Sequence, residues 1–152
     1  MRIGMLIAVT CSMVCSPVLA VQKQGAKPER KTQAELASKA AFATIPATSP
    51  ELKKALDSHD LAGAKKLVGQ TGAIQGTVAK VFTPRSNALV ILNFDKDFKR
   101  ALVAVVKAED FAKFPNLETL KDKRVFVRGK FIDYNGTPEL SLADASKVKI
   151  IK

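Results

Sequence analysis

Phe94, Lys96, Phe98, Lys99 and Arg100 fall within one short stretch of the chain, in "LNFDKDFKR". Cations interleaved with aromatic rings can do a specific kind of chemistry: ammonium and guanidinium groups track phosphates while ring faces stack on unpaired bases. Lys80, Arg85, Arg128 and Lys130 add further positive charge, and Phe82 and Tyr134 add rings. The same residue types have a plainer use. Phenylalanines fill cores, and Arg128 and Lys130, alternating with Val127 and Gly129, also match a solvated strand face.

Net charge agrees with a polyanion partner. The chain carries +11 at neutral pH, and loss of Arg2 with a cleaved leader lowers this to +10. A field of that sign attracts nucleic acid, anionic headgroups and acidic glycans alike.

Catalytic groups are scarce. His59 is the single histidine, and a lone histidine among Ser and Asp reads as a turn residue because general-base work needs oriented partners. Cys11 and Cys15 both precede the expected cleavage point, so the mature chain has no thiol, and zinc and thiol chemistry are excluded. Asp95 and Asp97 resemble paired carboxylates, but Lys96 separates them and no further acid follows at metal-loop spacing. Phosphate-binding, dinucleotide and nucleophile-elbow motifs are also missing. The reading is a non-enzyme without metal or cofactor.

Residues 1–20 have a basic start, an apolar stretch from Ile3 to Val14, and small residues at Val18 and Ala20, the pattern of a signal peptide. The apolar stretch falls short of a membrane span of about 20 residues. A periplasmic or secreted protein is expected. Residues 21–48 are rich in Lys, Gln, Ala, Thr and Pro, and composition predicts a flexible linker whose deletion leaves the folded unit intact. Residues 49–69 predict a helical segment: Ser49, Pro50 and Glu51 open it, Asp60 caps a second turn, and Gly69 stops it.

From residue 70 the pattern changes to strands. "AIQGTVAKVFT", "ALVILNF" and "RALVAVV" are three β-rich runs, and Gly76 in the first suggests a bend or close approach. Phe111 and Phe114, then Leu117 and Leu120, recur every third residue and predict a short helix and a helical turn around Pro115. "KRVFVRGKFIDY" and "PELSLA" form a hairpin through Asn135-Gly136, a pair suited to positive φ at both turn positions. "KVKII" extends an edge. Three strands, a helix and two strands over residues 70–152 give a mainly β fold: a five-stranded Greek-key OB-fold barrel, with a short helix between strands 3 and 4 and a helical segment in front.

The glycine-bearing first strand, "LNF" leading into a D/F turn, "V-x-V-x-G" and "YNGTPEL" carry a more specific likeness. Over about residues 68–152 the chain resembles the bacterial OB-type nucleic-acid-binding domains of secreted nucleases and related exported proteins. No nuclease sequence accompanies the barrel, so the resemblance implies binding without catalysis. A second exported OB family, small, periplasmic and stress-linked, is similar in size and export. Its often acidic members differ from this basic chain with its "LNFDKDF" turn.

OB barrels bind across strands 2 and 3 and the adjoining loops. The expected contacts are Lys80, Arg85, Phe94, Lys96, Phe98, Lys99, Arg100, Arg128, Lys130 and Tyr134, with nucleic acid, single-stranded, as the partner. The alternative is a periplasmic or envelope module for protein, glycan or another polyanion.

Overall fold

Alternating apolar residues make most of the strands, and backbone pairing closes them into a barrel. The computed structural model describes residues 30–152. It has nine strands: β1 (Ala43–Ile45), β2 (Leu56–Asp57), β3 (Thr71–Thr77), β4 (Lys80–Phe82), β5 (Leu89–Asn93), β6 (Val103–Lys107), β7 (Arg124–Tyr134), β8 (Thr137–Leu142) and β9 (Val148–Ile151). Two short α-helices, α1 (Gln33–Leu36) and α2 (Leu61–Lys66), precede the barrel. The expected signal peptide and residues 21–29 lie outside the described residues.

The run expected as one first strand is two. β3 pairs antiparallel with β7 from Thr71↔Lys130 to Thr77↔Arg124. The chain then changes partner: the Val78 N–H bonds the Lys123 carbonyl at 3.0 Å, and the Ala79 N–H bonds the Asn93 carbonyl at 2.8 Å. β4 continues antiparallel against β5, β5 against β6, β6 runs parallel to β8, and β8 returns antiparallel to β7. With β3 and β4 counted as halves of one strand, this closed path is the five-stranded OB barrel.

Its interior takes one face of each strand. Ile74, Leu92, Ala104, Val127, Phe131 and Leu140 are each fully buried. Phe111, Phe114, Leu117 and Leu120 are likewise fully buried; they come from two 3-10 turns, Ala108–Lys113 with Phe114 as its cap and Leu117–Leu120, rather than an α-helix. At Gly129 the neighbouring strand comes close, since a Cβ there would collide with the Ser141 carbonyl oxygen. Asn135 (φ 52) and Gly136 (φ 81) form the expected tight turn, with both φ angles positive.

Two boundaries differ from the sequence reading. The linker expectation for 21–48 does not hold for its described part, residues 30–48. Thr32 caps α1, and Gln33 is buried, its amide donating to the Pro115 carbonyl at 2.9 Å and accepting from the Leu117 N–H at 3.0 Å. Phe42 joins the main core, and β1 lies parallel to β9 in register Ala43↔Lys149 to Ile45↔Ile151. The physical reason lies in β7. Phe126 points outward, and Ile45, Leu52 and Ile151 cover it in a second apolar cluster. Composition shows how few apolar groups a segment has but not that a distant strand needs those few.

The helical segment at 49–69 is also more varied than expected. Only Leu52–Lys54 form a 3-10 turn, because Leu56 and Asp57 pair parallel with Ile74 and Gln75 of β3. Asp60 does cap α2, accepting from the Gly63 N–H at 2.8 Å.

Two mutations probe this packing. Phe42→Ala should destabilise the protein by about 3 kcal/mol, as phenylalanine truncation in a core does. The exposed Lys39→Ala should leave urea unfolding unchanged. Gly129→Ala should cost about 1–3 kcal/mol, an overpacking penalty, seen as a lower urea midpoint with the slope retained.

Candidate functional site

Strand alternation that sends Leu92, Ala104 and Leu140 inward sends their neighbours out onto one continuous wall. Two rows cross it in register. Phe82 stands beside Ile91 and then Val105, while Lys80, Asn93, Val103, Glu139 and Ile132 run side by side across β4, β5, β6, β8 and β7. The β5–β6 loop adds Lys96 and Phe98, and the β7–β8 turn adds Tyr134 and Asn135. The result is an open groove of about 520 Å³.

Its rings face solvent. Phe82 is 43 % exposed, Phe98 61 % and Tyr134 60 %. Large apolar faces left in water around one concavity mark a binding surface. Lys80 lies 5.4 Å from the centre of the Phe82 ring and Lys99 6.0 Å from that of Phe98, so cations and rings are interleaved as cation–π neighbours.

The loop that presents Phe98 is held by short local bonds. The Asp95 carboxylate accepts from the Asp97 N–H at 2.9 Å, and that of Asp97 accepts from the Lys99 N–H at 3.1 Å. These are Asx turns, and they give the two acids a loop-shaping role. His59, directly after β2, ties the loop down: Nε2 lies 3.3 Å from Asp95 and Nδ1 3.1 Å from Asp57. The backbone N–H groups of Asp97 and His59, with help from the His59 ring, hold the Asp95 and Asp57 carboxyls below the usual carboxylate range. Stability from these contacts is therefore present at neutral pH and lost only as acid titrates the lowered carboxyls. Among the described residues, no group of three or more His, Cys, Asp or Glu side chains is placed to hold a metal ion.

Of the expected contacts, Lys80, Lys96, Phe98 and Tyr134 line the groove. Lys99 and Arg100 stand on the loop beside it, with Arg100 3.8 Å from Asp97. Arg85, on the β4–β5 turn, and Lys130, on β7, are exposed but line no part of it. Arg128 belongs elsewhere: with Lys54, Lys147 and Lys149 it borders a second cavity of about 460 Å³ on the β3–β7–β9 wall. Phe94 is corrected outright. It is only 4 % exposed, because it follows Leu92 in strand phase and turns into the core.

Ile91, Asn93, Val103 and Glu139 are groove residues that a search for cations and rings does not select. The alternation in "LVILN" and "PELSL" is the signal that could have found them. Burial pushes the Glu139 carboxyl above its ordinary range. A raised acid pKa means that the folded state disfavours the ionised form, so the penalty applies at neutral pH and disappears once acid protonates both folded and unfolded chains. Glu139→Gln should accordingly raise the melting temperature near neutral pH, and the two proteins should converge below the carboxylate range.

No protein-family model matches the sequence, and no curated protein is similar to it. Among solved structures, the aspartyl-tRNA synthetase of Leishmania major Friedlin aligns with 72% of this chain at 13% identity and a TM-score of 0.51. The aspartyl tRNA synthetase of Entamoeba histolytica aligns with 79% of the chain at 18% identity and a TM-score of 0.49, a similarity too low to bear on the fold. The matches cover 23% and 26% of the synthetase chains. At such identity the Leishmania structure shows a shared OB-type fold and nothing further.

Proposed function

We propose that this chain is a non-enzymatic module that binds single-stranded nucleic acid along the groove, in a periplasmic or secreted setting after leader cleavage. One observation carries the binding reading. Phe82, Phe98 and Tyr134 expose ring faces around a single groove that Lys80 and Lys96 also line. Bases stack on such rings in any sequence, and the lysines, with Lys99 and Arg100 nearby, meet the phosphates. The synthetase whose fold the barrel shares is named for a tRNA substrate, which accords with this reading. The export reading rests on the pattern of residues 1–20, and N-terminal sequencing of protein from the envelope fraction tests it, with a start near Val21 expected.

A second reading has its own observation. The cations Lys54, Arg128 and Lys147 around the other cavity, where Lys149 is paired with Glu51 at 2.7 Å, suit an acidic glycan or envelope component that needs no stacking. Competition with heparin separates the two, since a groove that stacks bases should prefer DNA or RNA.

Fluorescence anisotropy with labelled single-stranded oligonucleotides is the direct test. Phe98→Ala should weaken binding by about 1–3 kcal/mol, the range for one stacked base, with no change in melting temperature because the ring packs in no core. Lys80→Ala and Lys96→Ala should each flatten the slope of log affinity against log salt by about 0.7. Equal binding of heparin and DNA, with Phe98→Ala silent, would overturn the nucleic-acid reading.

A further inference from the structure

A carboxylate in the middle of a phosphate-attracting groove works against the general binding that the rings and lysines provide. Glu139 is that carboxylate. It is half-buried in the wall between Val103 of β6 and Ile132 of β7. Among the described residues, no cation or hydrogen-bond donor pairs with it, and burial alone sets the direction of its acidity. Asn93 stands in the same cross-strand row, on the far side of Val103. Phe98 and Tyr134 line the same groove.

A carboxylate with both oxygens free accepts two parallel hydrogen bonds from two adjacent donors. Among the common bases only guanine presents that pair on its Watson–Crick edge, as N1–H and the N2 amino group. Adenine and cytosine set one amino group beside an acceptor, and thymine or uracil places one N–H between two carbonyls. Each of these turns a lone pair toward the second carboxylate oxygen. Unpaired bases are read on this edge while stacked on aromatic side chains.

We propose that Glu139 reads the Watson–Crick edge of an unpaired guanine stacked in the groove, which makes the module guanine-selective. This rests on the nucleic-acid reading of the groove and adds a base preference to it. Glu139 is left without a partner in the free protein because its partner is the base. The unfavourable burial of an unpaired carboxylate is relieved when two donors arrive.

The test uses fluorescence anisotropy with short oligothymidines that carry a single central dG, dA, dC or dT. The dG oligomer should bind about tenfold more tightly than the other three, in line with one good bidentate contact. Glu139→Gln offers one acceptor and one donor, so it should abolish the preference for dG. In the wild type the preference should also fade as acid protonates Glu139, whereas a merely structural role would leave base ratios independent of pH. Equal affinity for all four oligomers, or a dG preference that survives in the Gln variant, overturns this inference and leaves the binding reading standing. Failure of every oligomer to bind overturns both.

Discussion

This five-stranded barrel closes because one run of chain changes partner along its length, pairing first with β7 and then with β5. Here the change occurs between Val78 and Ala79, whose N–H groups bond Lys123 on one side and Asn93 on the other. Everything else follows from that crossing. Before it, β3 commits its edge to β7; after it, β4 commits its edge to β5. The closed circuit fixes which face of each strand is interior, and so which side chains of β5, β6 and β8 are left to form the outer wall.

The two sides of that wall serve opposite ends. Inward, Leu92, Ala104 and Leu140 give up all contact with water, and this burial drives folding. Outward, one residue along, Ile91, Asn93, Val103 and Glu139 form a surface bordered by exposed rings, with a carboxylate in its middle that has no partner among the described residues. Such features oppose stability, and strain of this kind concentrates where a protein meets a ligand. The groove is therefore separated from the core by the thickness of a strand, and its side chains can change without disturbing closure.

Much of the barrel was legible because its determinants are local. Asn135-Gly136 states its own turn geometry, and the alternation of "VFVRGKF" marks β7 without knowledge of any partner. Non-local features were harder to read. β1 is a three-residue strand that pairs, among the described residues, with β9 alone, and no periodicity can declare so short a piece. Phe126 gave the available hint, an apolar residue on the outer face of a strand whose inner face is already apolar. For the groove, residue type located Lys96, Phe98 and Tyr134 but misplaced Phe94, whose strand phase turns it inward. The same emphasis on type passed over Glu139, an acid where cations were sought.

The pairing of β1 with β9 has a consequence for the order of folding. Ala43–Ile45 are made well before Val148–Ile151, the strand they pair with. During elongation the early segment has no edge to join until β9 is made, and only then can Ile45 and Ile151 complete the cover over Phe126. Contacts between such distant residues carry the greatest loop-closure entropy and form slowly. The pairing of β1 with β9 is therefore the slow contact, and a chain stalled short of β9 would leave Phe126 without the Ile45 and Ile151 part of its cover.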